Sequence, residues 1–271
     1  MKTSINQWAF PDDMPTTEAI SRAKQVGFEA FEVCVAEKGT LPLATTEAEA
    51  TAIRRHADSL GIDLCTVGSG SGWQHPIGSP DKATSEKGKE IIERALTIAS
   101  WLGANAVLVV PGVVSTTAPY DVVMERTLSA AQDLTPIAEK RKVSLAFENV
   151  WNKFLLSPVE MRDFIDQFES EFVGAYFDVG NILSYGYPEQ WIRILGDRLR
   201  AIHVKDFREA VGNINGFVML LEGDVNWPAV MTALREVGFD GALTAEYGGY
   251  AHSREAMLKH VLASLQTIIG L

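Results

Sequence analysis

Four residues that can coordinate a metal ion each end a short apolar run in the second half of the chain. The runs are Leu145-Ala-Phe-Glu148, Ala175-Tyr-Phe-Asp178, Ala201-Ile-His203 and Leu243-Thr-Ala-Glu246. An unpaired buried carboxylate is costly, so three carboxylates that meet near one point need a cation to neutralise them. We therefore predict one divalent metal ion with Glu148, Asp178, His203 and Glu246 as its ligands.

Three carboxylates and one imidazole form a harder ligand set than a Cys-rich structural zinc site. Such a set favours Mn²⁺, Mg²⁺, Co²⁺ or Zn²⁺, and Mn²⁺ is our first expectation. Taken singly, an acid at a strand end is more often a helix cap or an ion-pair partner, and a lone buried histidine is more often a core residue. The metal prediction therefore depends on a fold that brings all four side chains together.

The elements that would do so alternate between strand-like and helical patterns along the whole chain. The predicted strands are Ser4–Trp8, Ala30–Val35, Asp63–Gly68, Ala106–Val110, Ser144–Glu148, Val173–Asp178, Ala201–Lys205 and Leu243–Tyr247. The predicted helices are Thr16–Val26, Thr46–Leu60, Ser85–Leu102, Val122–Lys140, Pro158–Phe168, Pro188–Leu195, Pro228–Val237 and Ser253–Ile268. Eight βα units predict a (β/α)8 TIM barrel with residues 1–271 as a single domain, and the strand C-termini of a barrel converge on one face.

Glycines support these boundaries. Gly27, Gly61, Gly103 and Gly238 each stand just past a predicted helix, where a residue with positive φ commonly ends the helix. The segments 69–82 and 206–227 are longer than helix packing requires. Loops of that length above a barrel mouth usually shape a pocket.

Polar residues after the seventh strand are candidates for substrate binding. Lys205, Asp206 and Arg208 are suited to orient hydroxyl groups or to hold a phosphate through charge-assisted hydrogen bonds. The alternative is a solvated ion-pair cluster at the barrel rim.

Two further candidates lie near the second and third strands. Glu32 closes the second strand and could bind substrate oxygens, or could pair locally. His75 lies in the loop after the third strand and, with Trp8 and Trp73, could form an apolar wall of a pocket. Trp151 is suited to the same role, although aromatic side chains on a barrel usually serve packing.

The charge of the chain argues against a polyanionic partner. The formal net charge is −11, and the sequence has no basic patch that would attract nucleic acid. A small phosphorylated substrate is not excluded, because two or three placed donors suffice for it.

Composition and cysteine content suit a cytoplasmic protein with a large core. Hydrophobic residues make up 46% of the chain, and no segment has the length of a signal peptide or a membrane span. Cys34 and Cys65 lie in strand-like runs and are expected to be reduced thiols. We find no exposed apolar stripe that would settle whether the protein forms a homodimer.

The motifs resemble those of the xylose-isomerase-like barrel superfamily of sugar and sugar-phosphate isomerases and epimerases. They are Glu148-Asn-Val, Asp178-Val-Gly-Asn181, His203-Val-Lys-Asp206, the run Leu221-Glu-Gly-Asp-Val-Asn-Trp227 and Ala245-Glu246. The resemblance covers essentially the whole chain and is greatest to the branch of ketose 3-epimerases and L-xylulose-5-phosphate 3-epimerase.

The resemblance implies roles for individual residues. Glu148 and Glu246 would bind the metal and act as the acid/base pair, and Asp178 and His203 would complete the coordination. Asn181 is a candidate for substrate binding, but it departs from the histidine that free-ketose 3-epimerases commonly carry three residues after the aspartate. An amide can donate a hydrogen bond but carries no charge, so the substrate stays open.

The chemistry implied is proton transfer through a metal-stabilised enediolate. Return of the proton to the opposite face of carbon 3 would make an epimerase, and return to the neighbouring carbon would make an aldose–ketose isomerase. A metal-dependent dehydratase of keto-polyols or dehydroshikimate-like acids would use the same ligands. A non-catalytic sugar-binding barrel is the remaining alternative, since fold alone does not establish activity.

A repair endonuclease of the same superfamily is disfavoured. That branch binds three zinc ions through additional histidines, whereas this chain has five histidines in total and two of them fall within predicted helices.

Overall fold

The computed structural model describes all 271 residues as a closed parallel barrel surrounded by helices. The barrel strands are β1 (Lys2–Asn6), β2 (Ala30–Cys34), β3 (Asp63–Gly68), β4 (Ala106–Val109), β5 (Ser144–Glu148), β6 (Val173–Asp178), β7 (Leu199–Val204) and β10 (Ala242–Ala245). Each strand pairs with its sequence neighbours in the barrel, and β10 closes the ring against β1. The predicted (β/α)8 barrel is confirmed.

Eight helices cover the outside of this barrel. They are α1 (Thr16–Val26), α2 (Glu47–Leu60), α3 (Lys82–Leu102), α4 (Tyr120–Arg141), α5 (Pro158–Asp166), α6 (Pro188–Leu195), α7 (Trp227–Glu236) and α8 (Arg254–Ile269). Gly61 and Gly103 end α2 and α3 in the left-handed region, with φ of 64° and 74°, where a side chain would be strained. No helix is long and apolar enough to cross a membrane.

The strand sequences explain why two packing layers form. Along β4 and just beyond it, Ala106, Leu108 and Val110 face the barrel interior, whereas Val107 and Val109 face the helices. This alternation follows the period of two along a strand. Burial of both faces explains why the strands are continuous apolar runs, so a polar residue that ends such a run is held rigidly at the barrel mouth.

The first strand begins and ends earlier than the sequence predicted. Residues Gln7–Ala9 form a 3₁₀ turn instead of continuing the strand, because the side chain of Asn6 accepts a hydrogen bond from the backbone N–H of Trp8. Trp8 is thereby directed over the barrel mouth and not into the sheet.

A hairpin of two short strands, β8 (Asp206–Phe207) and β9 (Phe217–Val218), lies within the long loop after β7. The buried carboxylate of Asp206 fixes this loop by accepting hydrogen bonds from the backbone of Leu221 and Val225 and from the indole of Trp227. Asp206 was a candidate for orienting substrate hydroxyls, and the structure instead places it beneath the loop.

Both cysteines are free thiols. Cys34 lies at the end of β2, and Cys65 lies within β3, so the structure contains no disulfide. Burial raises the pKa of both thiols, which makes them poor nucleophiles.

Candidate metal centre

The structure brings the four predicted metal ligands to one point at the C-terminal face of the barrel. One ligand atom from each of Glu148, Asp178, His203 and Glu246 lies within 4.8 Å of all the others. Glu148 and Asp178 end β5 and β6, His203 lies in β7, and Glu246 directly follows β10. The ring nitrogen Nδ1 of His203 is 3.1 Å from Glu148 Oε1 and 3.5 Å from Glu246 Oε2.

Hydrogen bonds join the ends of β5 and β6, where Glu148 and Asp178 lie. Asn149 donates from Nδ2 to the carbonyl of Asp178, and its Oδ1 accepts from the backbone N–H of Asp178. The N–H of Asn181 donates to Asp178 Oδ1 at 2.8 Å. These contacts leave Asp178 Oδ2 as the carboxylate atom available to a cation.

The surroundings of Asp178 Oδ2 show whether a metal ion fits this site. The atom is buried and receives no hydrogen bond. The Lys205 ammonium lies 3.1 Å away but donates its hydrogen bond to Glu246. A buried carboxylate oxygen without a donor is costly, and a divalent cation among three carboxylates would satisfy it. The donor set therefore fits such a cation.

Burial and the neighbouring charges act in opposite directions on the pKa values of the residues in this site. Burial raises the pKa of Glu148 to about 7, although His203 acts in the opposite direction. Burial would lower the pKa of His203, but the carboxylates of Glu32, Glu148 and Glu246 outweigh it and hold that pKa well above its ordinary value. Burial would likewise lower the pKa of Lys205, but Asp178, Glu246 and Glu148 raise it. Without a metal, the imidazolium and the ammonium supply the positive charge.

A cleft of about 600 Å³ opens above the four ligands. Glu148 and Glu246 lie at its floor, together with Asn181 and Lys205. Much of its wall is aromatic and comes from Trp8, Trp73, Trp151, Phe217 and Tyr247. The remaining lining residues are Ser69, Gly70, Leu108, Val110, Val150, Ile214 and Gly248.

Two of the six substrate-binding candidates line this cleft. Asn181 donates from its amide nitrogen to the carbonyl of Asn149, and its amide oxygen accepts no hydrogen bond from the protein. Lys205 sits between Asp178 and Glu246. Both residues are therefore placed where a ligand can reach them.

The structure places the other candidates elsewhere. His75 lines a separate small cavity beside α3 and β4. Arg208 is exposed and donates to the carbonyl of Glu222 within the loop that Asp206 fixes. Neither residue lines the cleft.

Glu32 lies beneath the metal ligands and is completely buried. Its Oε1 accepts from Asn6 and faces His203 Nε2 at 2.9 Å, and its Oε2 accepts from Thr66 and Tyr176. Burial would raise the pKa of Glu32, but His203 and the hydrogen bonds lower it. Direct contact of Glu32 with substrate, as the sequence suggested, does not agree with this position.

The sequence profile of the family described as xylose isomerase-like TIM barrel matches residues 20–268 of the chain. The protein belongs to this family.

One sequence relative and one similar structure of this xylose isomerase-like barrel are sugar epimerases by name. The SgbU protein of Haemophilus influenzae carries the provisional name L-ribulose-5-phosphate 3-epimerase and is 24% identical, with 99% of this chain and 95% of the relative covered. The structure of a D-psicose 3-epimerase in the presence of D-fructose superposes with a TM-score of 0.84 at 18% identity and covers 100% of both chains.

A second similar structure holds a metal ion. The IOLI protein, solved with a zinc atom, superposes on this xylose isomerase-like barrel with a TM-score of 0.80 at 15% identity. It covers 100% of this chain and 98% of its own.

Several cleft residues were not predicted from the sequence of this xylose isomerase-like barrel. Leu108 lies within β4, and Val110 and Val150 follow apolar strands, so nothing in their type separates them from core residues. Ile214 and Phe217 lie in the long loop after β7, which the sequence marked as pocket-forming without indicating which side chains turn inward. Tyr247 directly follows Glu246 and was assigned to the last strand.

Proposed function

We propose that the protein is a divalent-metal-dependent sugar epimerase that inverts carbon 3 of a ketose by proton transfer. The observation that carries the proposal is the placement of two glutamates, Glu148 and Glu246, in one metal-binding group at the floor of a sugar-sized cleft. They come from separate strands, so they are suited to address opposite faces of one carbon.

The barrier to the reaction is the charge left on the sugar when a proton leaves the carbon next to the carbonyl. A divalent cation, when held by the four ligands, would supply electrostatic stabilisation of that charge. Mn²⁺ is our first choice among the cations that suit three carboxylates and an imidazole.

Two glutamate side chains of the protein carry out the proton transfers. One of Glu148 and Glu246 removes the proton from carbon 3, and the other returns a proton to the opposite face. Lys205 holds Glu246 by a hydrogen bond and neutralises part of the charge of the carboxylate group. Asn181 presents a free amide oxygen that can accept a hydrogen bond from a sugar hydroxyl.

The aromatic wall has two roles in this proposal. Trp8, Trp73 and Trp151 offer apolar faces to the C–H side of a sugar, which is the side that carries no hydroxyls. They also keep bulk water from the reacting carbon, which strengthens the electrostatic interactions that stabilise the developing charge.

We further propose that the substrate is an unphosphorylated ketose. Lys205 is the only Lys, Arg or His side chain that lines the cleft, and it is already engaged with Asp178 and Glu246. Arg208, the other candidate for a phosphate, lies outside the cleft. A phosphate dianion would therefore meet carboxylates and aromatic rings without the cationic donors that it requires.

The experiment that tests both parts is proton NMR in D₂O on pairs of free ketoses and their 5-phosphates. Each pair is incubated with Mn²⁺-loaded protein and with an EDTA-stripped control, and the Mn²⁺ is removed before spectra are recorded. We expect metal-dependent loss of the C3 proton signal and a new epimer with free ketoses. The Glu246→Gln variant serves as the matched control and should give no epimer.

Other outcomes of this experiment would contradict specific parts of the proposed function. Exchange only with the 5-phosphates would refute the unphosphorylated substrate. Exchange at carbon 1 in place of carbon 3 would indicate an aldose–ketose isomerase. A conjugated carbonyl absorbance would indicate a dehydratase, and binding without any exchange would indicate a non-catalytic barrel.

A further inference from the structure

Glu32 is a buried carboxylate that the proton transfers do not use. It and His203 are both 0% exposed, and Glu32 Oε1 lies 2.9 Å from His203 Nε2. The other ring nitrogen of His203, Nδ1, faces Glu148 and Glu246. His203 is therefore held between one carboxylate below and the metal-binding group above.

The position of Glu32 is determined by strand register. Asn6 and Thr66 are the neighbours of Glu32 on the two adjacent strands, and both donate hydrogen bonds to it. Tyr176 donates from across the barrel, and its ring lies 4.5 Å from the imidazole of His203. With donors at both oxygens, Glu32 cannot rotate without breaking several hydrogen bonds.

With a cation bound and His203 neutral, this geometry leaves one arrangement that satisfies both ring nitrogens. A neutral imidazole has one N–H donor and one acceptor nitrogen. Glu32, which accepts from every partner, requires the N–H at Nε2. Nδ1 is then the nitrogen with a free lone pair, and it faces the three carboxylates where a cation would bind.

We propose that Glu32 is a positioning residue that fixes the Nε2–H form of His203 and presents Nδ1 to the metal ion. The inference rests on the metal site of the proposed function. A carboxylate behind a metal-binding histidine orients the ring and increases its basicity, and loss of such a partner typically weakens metal binding by about 10- to 100-fold.

The competing explanation is that Glu32 is only part of a buried polar network that stabilises the barrel. Two variants distinguish these roles. One changes the carboxylate that faces His203, and the other removes only a hydrogen-bond donor to the second oxygen of that carboxylate. Glu32→Gln can keep an oxygen toward His203 and Asn6 while its amide donates to a hydroxyl of Thr66 or Tyr176, so the contacts remain but the charge is lost. Thr66→Val removes a donor from Oε2 and leaves the Oε1 contact to His203 intact.

The first measurement is Zn²⁺ affinity, by competition with a chelator, for the full-length wild type and both variants. We expect Glu32→Gln to bind about 10- to 100-fold more weakly and Thr66→Val to bind within about threefold of wild type. Thermal unfolding of the metal-free proteins shows that each variant is folded and allows affinity to be compared apart from stability.

The second measurement is long-range ¹H–¹⁵N NMR of the histidine side chains in the Zn²⁺-loaded proteins. A His203 signal of the Nε2–H form in wild type and Thr66→Val, with a shifted or lost Nε2–H proton in Glu32→Gln, supports the proposal. Wild-type affinity and an unchanged Nε2–H signal in Glu32→Gln would overturn it. Failure of the wild type itself to bind Zn²⁺ would instead refute the metal site of the proposed function, and with it this inference.

Discussion

The metal-free protein is expected to lose stability as the pH rises through about 7, because Glu148 must then ionise in a buried site that already holds three other carboxylates. The pKa of Glu148 is raised by burial from an ordinary value of 4.5 to about 7. A raised carboxyl pKa means that the folded state binds the proton more tightly than the unfolded state. Its contribution to stability is complete below pH 4.5 and is lost as the pH rises through about 7.

The size of the effect follows from that shift. A difference of about two and a half pKa units corresponds to on the order of 3 kcal/mol in the free energy of unfolding. Burial also raises the pKa of Asp178, which acts in the same direction. His203 and Lys205 have raised pKa values and stay protonated below pH 7, so they do not reverse the trend.

The assay is urea unfolding in EDTA at pH 5, 6, 7 and 8, followed by circular dichroism. Glu148→Gln is the matched variant because it is isosteric and cannot ionise, so surface groups cancel in the difference between the two proteins. We expect the variant to gain on the order of 3 kcal/mol relative to wild type between pH 5 and pH 8. A difference that does not change with pH would refute the reasoning.

Three further predictions concern the loop, the cleft wall and the acid/base pair. Asp206→Ala should lower the free energy of unfolding by about 3 kcal/mol in urea titrations, because it leaves several buried donors unpaired; an unchanged value would contradict the anchoring role. Trp73→Ala should raise KM for a free ketose by up to about tenfold without lowering Tm, since Trp73 is 48% exposed, and an unchanged KM would remove it from the substrate wall. Glu246→Gln should lower the rate of C3 proton exchange in D₂O by about 10²- to 10⁴-fold at saturating Mn²⁺, and exchange at the wild-type rate would exclude it as an acid or base.

The sequence predicted that Glu148, Asp178, His203 and Glu246 would meet because their placement requires little three-dimensional information. Each ends an apolar run, and in a parallel barrel all strand ends meet at one face. The helix boundaries were predictable for a similar reason, since Gly61 and Gly103 mark helix ends that depend only on local conformation.

Depth within the barrel was not predictable from the sequence. Glu32 and Glu148 both sit in apolar strands, yet one is below His203 and the other beside it. The difference comes from the register of β2 against its neighbours, which places Glu32 level with Asn6 and Thr66. Register is set by contacts between distant segments, so a reading of one strand cannot supply it.

The same limit applies to the loop residues. Asp206 accepts hydrogen bonds from residues 15 to 21 positions further along the chain, and no local pattern identifies those partners. His75 and Arg208 carried suitable chemistry, but the path of the backbone after the strand decides which side chains reach the cleft.

In the proposed function, the loop fixed by Asp206 would influence substrate preference while the four candidate metal ligands lie outside it. Its base is held by hydrogen bonds to the buried carboxylate of Asp206, whereas its outer part carries Ile214, which is 67% exposed, and Phe217, which packs on Trp151 at 5.2 Å. The four candidate metal ligands lie on or directly after barrel strands, and none belongs to this segment. We therefore expect that residues 209–219 can be exchanged, in evolution or by design, without displacing the four candidate metal ligands.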